Sequence, residues 1–63
     1  MSIEGQYVYT VEEAAEYLRL GRTTVYQLMR RDELESIKIG SSRRITEDQL
    51  KRFLERKEQE GQA

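Results

Sequence analysis

The segment between Gly21 and Arg31 combines long polar side chains with a helical pattern of apolar ones. If a helix starts just after Gly21, Val25, Leu28 and Met29 fall on one stripe at positions i, i+3 and i+4. The other faces carry Arg22, Thr23, Gln27, Arg30 and Arg31. Such side chains donate hydrogen bonds to base edges and phosphates, and a helix of about three turns fits the major groove of DNA. We interpret this segment as a recognition helix, and the alternative is an ordinary surface helix whose charges are only solvated.

A second basic segment follows, and its apolar period changes from helical to alternating. Ile37 and Ile39 alternate with Lys38 before Gly40, which predicts a β-hairpin with Ile37, Ile39 and Ile45 turned toward the core. The tip and flanks of this hairpin carry Lys38, Ser41, Ser42, Arg43 and Arg44. Hydroxyls, backbone N–H groups and arginines at a hairpin tip suit a phosphate backbone or a minor groove. The alternative is an edge hairpin that its charges protect from aggregation.

Two further helices must position these basic segments, and each begins with the pattern of a capping box. The first box runs from Thr10 to Glu13, and the second runs from Thr46 to Gln49. Apolar residues at helical spacing follow each box. They are Val11, Ala14, Ala15 and Leu18 in the first helix and Leu50, Phe53 and Leu54 in the last.

The break between the first helix and the basic helix is short, from Arg19 to Gly21. Two helices joined by so tight a turn cross steeply, as in a helix-turn-helix. We expect Gly21 to be the N-cap of the second helix. We also expect Leu20 to fill the space between the two helices.

Length and composition narrow the class of protein. Sixty-three residues make one domain with a small core. We place that domain at residues 9–56, between a flexible lead at 1–8 and a frayed or disordered tail at 57–63. The absence of Cys and His excludes disulfides, an ordinary zinc site and catalysis by a thiolate or an imidazole. No apolar run approaches the roughly 20 residues that span a bilayer, so we expect a cytoplasmic protein without membrane association.

The net charge of −1 conceals an uneven distribution of charge along the chain. Residues 1–18 carry four acidic residues and no basic one, whereas residues 19–44 carry seven basic and three acidic residues, a local net charge of +4. This asymmetry favours a nucleic-acid partner for the middle of the chain. An acidic protein should still bind DNA weakly and lose affinity quickly as salt rises. The sequence shows no phosphate-binding glycine loop and no nucleophile–base pair, so we expect neither an enzyme nor a cofactor.

A close resemblance to the excisionase-like DNA-binding domains of the MerR superfamily is carried by YTVEEAAEYLRLGRTTVYQLMRRDEL, IKIG and RRITEDQLKRFL, over about residues 9–54. It implies a mainly α fold with a small β-hairpin, a winged helix-turn-helix of three helices and one wing. It also implies that the second helix lies in the major groove and the wing on the adjacent backbone or minor groove. The contacts that it implies by position are Arg22, Thr23, Thr24, Tyr26, Gln27 and Arg30 from the helix and Lys38, Ser41, Arg43 and Arg44 from the wing.

Two departures from the family pattern matter. Arg19 stands where a glycine often makes the turn, and a left-handed conformation there would cost roughly 1 kcal/mol relative to glycine. The sequence also lacks the long dimerising helix and effector domain of full-length MerR regulators, so no small-molecule effector is expected. Tyr26 has two interpretations, in which it either packs against the wing or places its hydroxyl on a phosphate.

The resemblance implies a small sequence-specific protein that binds double-stranded DNA. Two roles fit: an excisionase-like recombination directionality factor of a prophage or mobile element, or a compact transcription regulator. The family also implies cooperative self-association on DNA and a possible integrase partner. The alternative function is a protein-interaction adaptor with only non-specific DNA affinity. Such an adaptor would dock on an integrase or polymerase through the acidic face of its first helix, at Glu12, Glu13 and Glu16.

Overall fold

The computed structural model describes residues 2–3 and 6–61 of the chain. Its helices are α1 (Val11–Leu18), α2 (Arg22–Arg30) and α3 (Glu47–Glu60). Its strands are β1 (Ser2–Ile3), β2 (Gln6–Thr10), β3 (Ile37–Ile39) and β4 (Ser42–Thr46), which form an antiparallel sheet in the order β1-β2-β4-β3. The hairpin of β3 and β4 follows α2 as a wing. The fold is a winged helix-turn-helix, as the sequence predicts.

Both capping boxes are formed, and both predictions are confirmed. The Thr10 hydroxyl accepts from the Glu13 N–H at 3.0 Å, and the Glu13 carboxylate accepts from the Thr10 N–H at 2.9 Å. This second bond holds the pKa of the Glu13 carboxyl below its ordinary value. Thr46 and Gln49 make the same reciprocal pair at 3.1 and 3.0 Å. Since β2 and β4 end at these threonines and pair with each other, the two boxes start α1 and α3 from neighbouring strands.

The turn between α1 and α2 depends on a left-handed residue. Arg19 has φ 56°, and the N–H of Leu20 donates to the Ala15 carbonyl at 2.9 Å. Leu20 is 39% exposed, so the expectation that it fills the space between the helices is wrong. Ala14 and Ala15 are buried instead. Small residues let two helices approach closely, which leaves no gap for a leucine.

One cluster of buried apolar side chains joins all three helices to the sheet. Its members are Val11, Ala14, Ala15, Val25, Leu34, Ile45, Leu50 and Phe53. Leu28 and Met29 are half-buried against this cluster, as their stripe predicts.

Leu34 is a core residue that the sequence pattern did not identify, as is Val8, which is 3% exposed. Leu34 follows α2, where Asp32 adopts a left-handed conformation at φ 59°. The N–H groups of Glu33 and Leu34 both donate to the Leu28 carbonyl, at 2.9 and 3.2 Å. This reversal of the chain turns Leu34 inward, where it is 1% exposed.

The two faces of the wing differ from the prediction. Ile37 pairs with Arg44 and Ile39 with Ser42, so these residues share one face, opposite to that of Ile45. Ile45 is fully buried as expected, but Ile37 is only half-buried and Ile39 is 42% exposed. The prediction that all three isoleucines turn toward the core is therefore wrong. The register of the pairing, which the spacing of the isoleucines does not reveal, decides which face each one joins.

Regular structure extends beyond residues 9–56 at both ends. β2 begins at Gln6, and the N–H of Tyr7 lies 3.5 Å from a carboxylate oxygen of Glu47. At the other end α3 continues to Glu60, and in this last turn the Lys57 ammonium lies 3.1 Å from the carboxylates of both Glu33 and Glu60. This differs from the frayed tail expected from residue 57, whereas residues 62–63 lie outside the described part of the chain.

Candidate nucleic-acid interface

Helix α2 presents its N-terminal turn to solvent. Val25 is fully buried and fixes the orientation of the helix, and Arg22, Thr23 and Thr24 are exposed. Gly21 is the N-cap, as predicted, and it supplies no side-chain hydrogen bond. The first turn contains no acidic residue. Its N–H groups and the positive end of the helix dipole can therefore face an anion such as a phosphate.

The rest of the exposed face of α2 carries Tyr26, Gln27 and Arg30. Tyr26 is 46% exposed and lies between the helix and the wing. Arg31 follows the helix, and its guanidinium lies 3.4 Å from the Glu33 carboxylate. That carboxylate also binds Lys57, so Arg31 contacts an acidic group that helps to attach α3.

The wing carries basic side chains on both of its faces, exposed on one and half-buried on the other. Lys38 and Arg43 are cross-strand partners and share one face, whereas Arg44 pairs with Ile37 on the other. The Arg43 guanidinium lies 3.5 Å from the Ser36 hydroxyl, and that of Arg44 donates to the Arg43 carbonyl at 2.9 Å. Gly40, with φ 63°, opens the two-residue turn, as suits a tight hairpin. Ser41 completes the turn and Ser42 begins β4.

Two clefts separate α2 from the wing. One, of about 410 Å³, lies between Tyr26, the N-terminus of α1 and residues 41–44 of the wing. The other, of about 460 Å³, is lined by Tyr26, Arg30 and Arg43 among others. The structure thus brings six predicted contact residues together along these clefts: Tyr26, Arg30, Ser41, Ser42, Arg43 and Arg44. The other six do not line them and are exposed beside them: Arg22, Thr23, Thr24, Gln27, Arg31 and Lys38.

Ion pairs with carboxylates engage some of the basic residues and not others. On α3, Arg52 lies 3.3 Å from Asp48 and 3.5 Å from Glu35, and Lys57 is also held by carboxylates. Within the described residues, no ion pair engages the basic side chains that line the clefts or the wing: Arg30, Lys38, Arg43 and Arg44. Of the basic side chains without an ion pair among the described residues, these four therefore lie on α2 and the wing, whereas Arg19, Lys51 and Arg56 lie elsewhere.

The sequence did not place Glu12 at this surface. Glu12, on α1, lines the first cleft, and its carboxylate lies 3.9 Å from the guanidinium of Arg22. The two residues belong to different helices, so their separation along the chain has no helical or strand period that would signal the contact. Only the crossing of α1 and α2 brings them together.

Glu33 links the end of α2 to α3. Hydrogen bonds from Lys57 and Arg31 hold the pKa of the Glu33 carboxyl below its ordinary value. The same contacts with Glu60 and Glu33 raise the pKa of the Lys57 ammonium. The Arg56 guanidinium donates to the Glu33 carbonyl as well. These contacts attach α3 to the end of α2 and do not belong to the exposed basic surface.

Two other kinds of site find no support in the described part of the chain. It contains no group of three acidic, His or Cys residues that could hold a metal ion. None of its helices is long and apolar enough to cross a membrane.

The family model described as a helix-turn-helix domain matches residues 8–58 of this chain. The chain belongs to the helix-turn-helix domain family. The match includes α1, the turn, α2 and the whole wing, and it ends within α3. The clefts and exposed basic residues described above therefore all lie within the helix-turn-helix domain.

Individual relatives narrow the family further. The domain is 49% identical over 43 residues to a probable excisionase of Saccharopolyspora erythraea, which covers 68% of this chain and 44% of that protein. It is 41% identical over 46 residues to an excisionase of Streptomyces ambofaciens, which covers 73% of this chain and 74% of that protein. An uncharacterized protein of Bacillus subtilis, YvgK, is 36% identical over 45 residues, 71% of this chain and 15% of that protein. No solved structure matches the chain.

The family match and the two excisionase relatives show that the chain is an excisionase-like helix-turn-helix DNA-binding domain. It spans less than half of the Saccharopolyspora relative and about three quarters of the Streptomyces one.

Proposed function

We propose that this domain binds a specific double-stranded DNA site, with α2 in the major groove and the wing on the adjacent backbone or minor groove. The observation that carries the proposal is the group of basic side chains without ion pairs on both sides of the clefts between α2 and the wing. Nine residues make α2 about 13 Å long at 1.5 Å per residue. With its side chains an α-helix is about 10–12 Å in diameter, which fits the roughly 12 Å width of the major groove.

Within this proposal the two elements have different tasks. Arg22 and Gln27 lie exposed on α2 and have the side chains that pair with guanine and adenine edges. Thr23, Thr24 and the free N–H groups of the first turn suit the phosphates beside the groove. The basic residues of the wing neutralise phosphates on the flanking backbone, which adds affinity without sequence preference.

The biological role that fits best is that of an excisionase-like recombination directionality factor, encoded by a prophage or mobile element. The names of the Saccharopolyspora and Streptomyces relatives support it. A compact transcription regulator uses the same DNA-binding surface and is the second role. A MerR-superfamily ancestry rests on the sequence motifs that carry the resemblance. Neither role requires catalysis by this chain.

A single helix-turn-helix reads only a short DNA site. One helix-turn-helix reads about one helical turn of DNA, roughly 10 bp. A site that short recurs often in a genome, so useful specificity requires several copies on repeated sites or a partner such as an integrase. We therefore include cooperative binding to repeated sites in the proposal.

The test is selection from a randomised duplex pool at low and moderate salt, followed by sequencing of the bound fraction. We expect an enriched short motif whose preference at one base pair relaxes in Arg22→Ala. The spacing of repeated motifs then gives the number of copies that assemble. Binding without enrichment that disappears as salt rises would refute sequence-specific binding and favour the adaptor function, in which the acidic face of α1 docks on another protein.

A further inference from the structure

Glu12 is an acidic residue at the edge of a surface that must approach phosphates. It is the one acidic side chain among the described residues that line the cleft between α1, Tyr26 and residues 41–44. Its carboxylate lies 3.9 Å from the guanidinium of Arg22, and the two side chains are 74% and 67% exposed. An ion pair this exposed adds little to the stability of the fold. Because it lies beside the arginine that we propose to contact a base, the carboxylate can instead affect how the domain recognises DNA.

We infer that Glu12 is a specificity determinant, which orients Arg22 toward a base edge and repels phosphates from the cleft. The inference rests on the proposed function, because it requires α2 to enter the major groove. Glu12 does not need to contact DNA. It acts on recognition through Arg22 and through its negative charge, and it is therefore a positioning residue.

The first effect concerns the choice that Arg22 makes on DNA. A free arginine near a duplex finds phosphates on every sequence, and a phosphate contact carries no base preference. The Glu12 carboxylate, 3.9 Å from the guanidinium, competes electrostatically with that phosphate. The planar guanidinium has five N–H donors, so the pair with Glu12 leaves other donors free for the two acceptors of a guanine. The ion pair with Glu12 therefore disfavours a contact between Arg22 and a phosphate more than a contact between Arg22 and a guanine.

The second effect concerns the cleft itself. Phosphates that approach Arg43 and Arg44 through this cleft also approach the Glu12 carboxylate. Like charges across an interface suppress association with wrong partners, and here the wrong partner is DNA held only by its backbone. The acidic charge thus lowers binding to random DNA.

The experiment compares three variants on two duplexes, the motif selected by the wild-type protein and the same motif with the base pair read by Arg22 exchanged. A third duplex of random sequence measures binding to random DNA. Glu12→Gln removes the charge and keeps the shape of the side chain. Glu12→Asp keeps the charge but withdraws the carboxylate from Arg22 by one methylene. Glu16→Gln is the matched control, because Glu16 is exposed on the same helix and does not line the cleft. Thermal melts of all variants confirm that each one is folded.

For Glu12→Gln we expect tighter binding to random DNA and weaker discrimination between the two duplexes, each by about two- to fivefold, the range typical of an exposed ion pair. For Glu12→Asp we expect the loss of discrimination alone, and for Glu16→Gln no loss of discrimination. In the background of Arg22→Ala, Glu12→Gln should reduce discrimination no further, since its effect on base choice passes through Arg22.

Either of two results overturns the inference: equal behaviour of Glu12→Gln and Glu16→Gln, or one common factor of change on both duplexes. Failure of the proposed function is a separate result, because the wild-type protein would then select no motif at all.

Discussion

The basic residues of the wing, together with Arg30 of α2, predict how strongly DNA binding depends on salt concentration. Each phosphate that a protein neutralises on duplex DNA contributes about −0.9 to the slope of log K against log salt. If Arg30, Lys38, Arg43 and Arg44, which have no ion pair within the described residues, all reach phosphates, the slope is about −3.6. Arg43→Ala should change this slope to about −2.7. When salt rises from about 50 to about 200 mM, the factor by which binding weakens should then be about 3.5 times smaller than in the wild-type protein.

The assay is fluorescence anisotropy with a labelled duplex at several salt concentrations, on both the selected motif and a scrambled one. Arg43→Ala should weaken both duplexes by the same factor, because a phosphate contact carries no base preference. Arg52→Ala is the matched control. It removes one exposed arginine that Asp48 and Glu35 already bind on α3, so the slope should not change.

Two results would show that this reasoning is wrong. A uniform loss of affinity in Arg43→Ala without a change of slope would mean that Arg43 neutralises no phosphate in the complex. An equal change of slope in Arg43→Ala and Arg52→Ala would mean that only the total charge of the protein matters. A thermal melt of each variant checks that loss of the contact between Arg43 and the Ser36 hydroxyl has not altered the wing.

Three further predictions concern stability. Arg19→Gly should stabilise the fold by about 0.5–1 kcal/mol and raise the Tm by about 4 °C, because glycine adopts φ 56° without strain; Glu16→Gly, inside α1, should lower the Tm instead. Leu34→Ala should cost about 2–5 kcal/mol in urea unfolding, whereas Leu20→Ala, at a 39% exposed site, should cost less than about 1 kcal/mol, and equal costs would contradict the assignment of the core. The contacts of the Glu33 carboxylate lower its pKa in the folded state. The stabilisation that these contacts give is therefore complete at a pH above the ordinary pKa of 4.5, and it is lost as the pH falls through the lower pKa of the folded state. The urea midpoints of wild-type protein and Glu33→Gln should therefore differ at pH 7 and converge in acid, and a gap that stays constant with pH would contradict the role of this carboxylate.

The sequence predicted the features of this fold that depend on neighbouring residues. Both capping boxes, the N-cap at Gly21 and the hairpin turn at Gly40 are where the spacing placed them. Each of these is decided within about four residues, since a cap or a tight turn satisfies its own backbone groups locally. The basic character of α2 and the wing was equally evident from the sequence.

The hydrophobic pattern gave wrong predictions where segments that are distant in the sequence contact each other. Leu20 looked like core and is exposed, whereas Leu34 looked like a helix end and is among the most deeply buried side chains. The last turn of α3 looked too polar to persist, yet Glu33 holds Lys57 across 24 positions of the chain. The spacing of the hydrophobic residues alone does not predict any of these outcomes. It indicates which residues prefer to be buried, but not which other residues pack over them.

By itself, then, the sequence determined where the helices start, where the wing turns and which segment carries the positive charge. The tertiary structure alone decided which of those charges are available. On α3, carboxylates bind Arg52 and Lys57, while Arg30, Lys38, Arg43 and Arg44 have no ion pair within the described residues. The tertiary structure also decided that Arg22 meets Glu12, ten positions earlier in the chain. The physical reason is that a charge acts through the groups within a few ångströms of it, and the crossing of the helices and the register of the sheet set those neighbours.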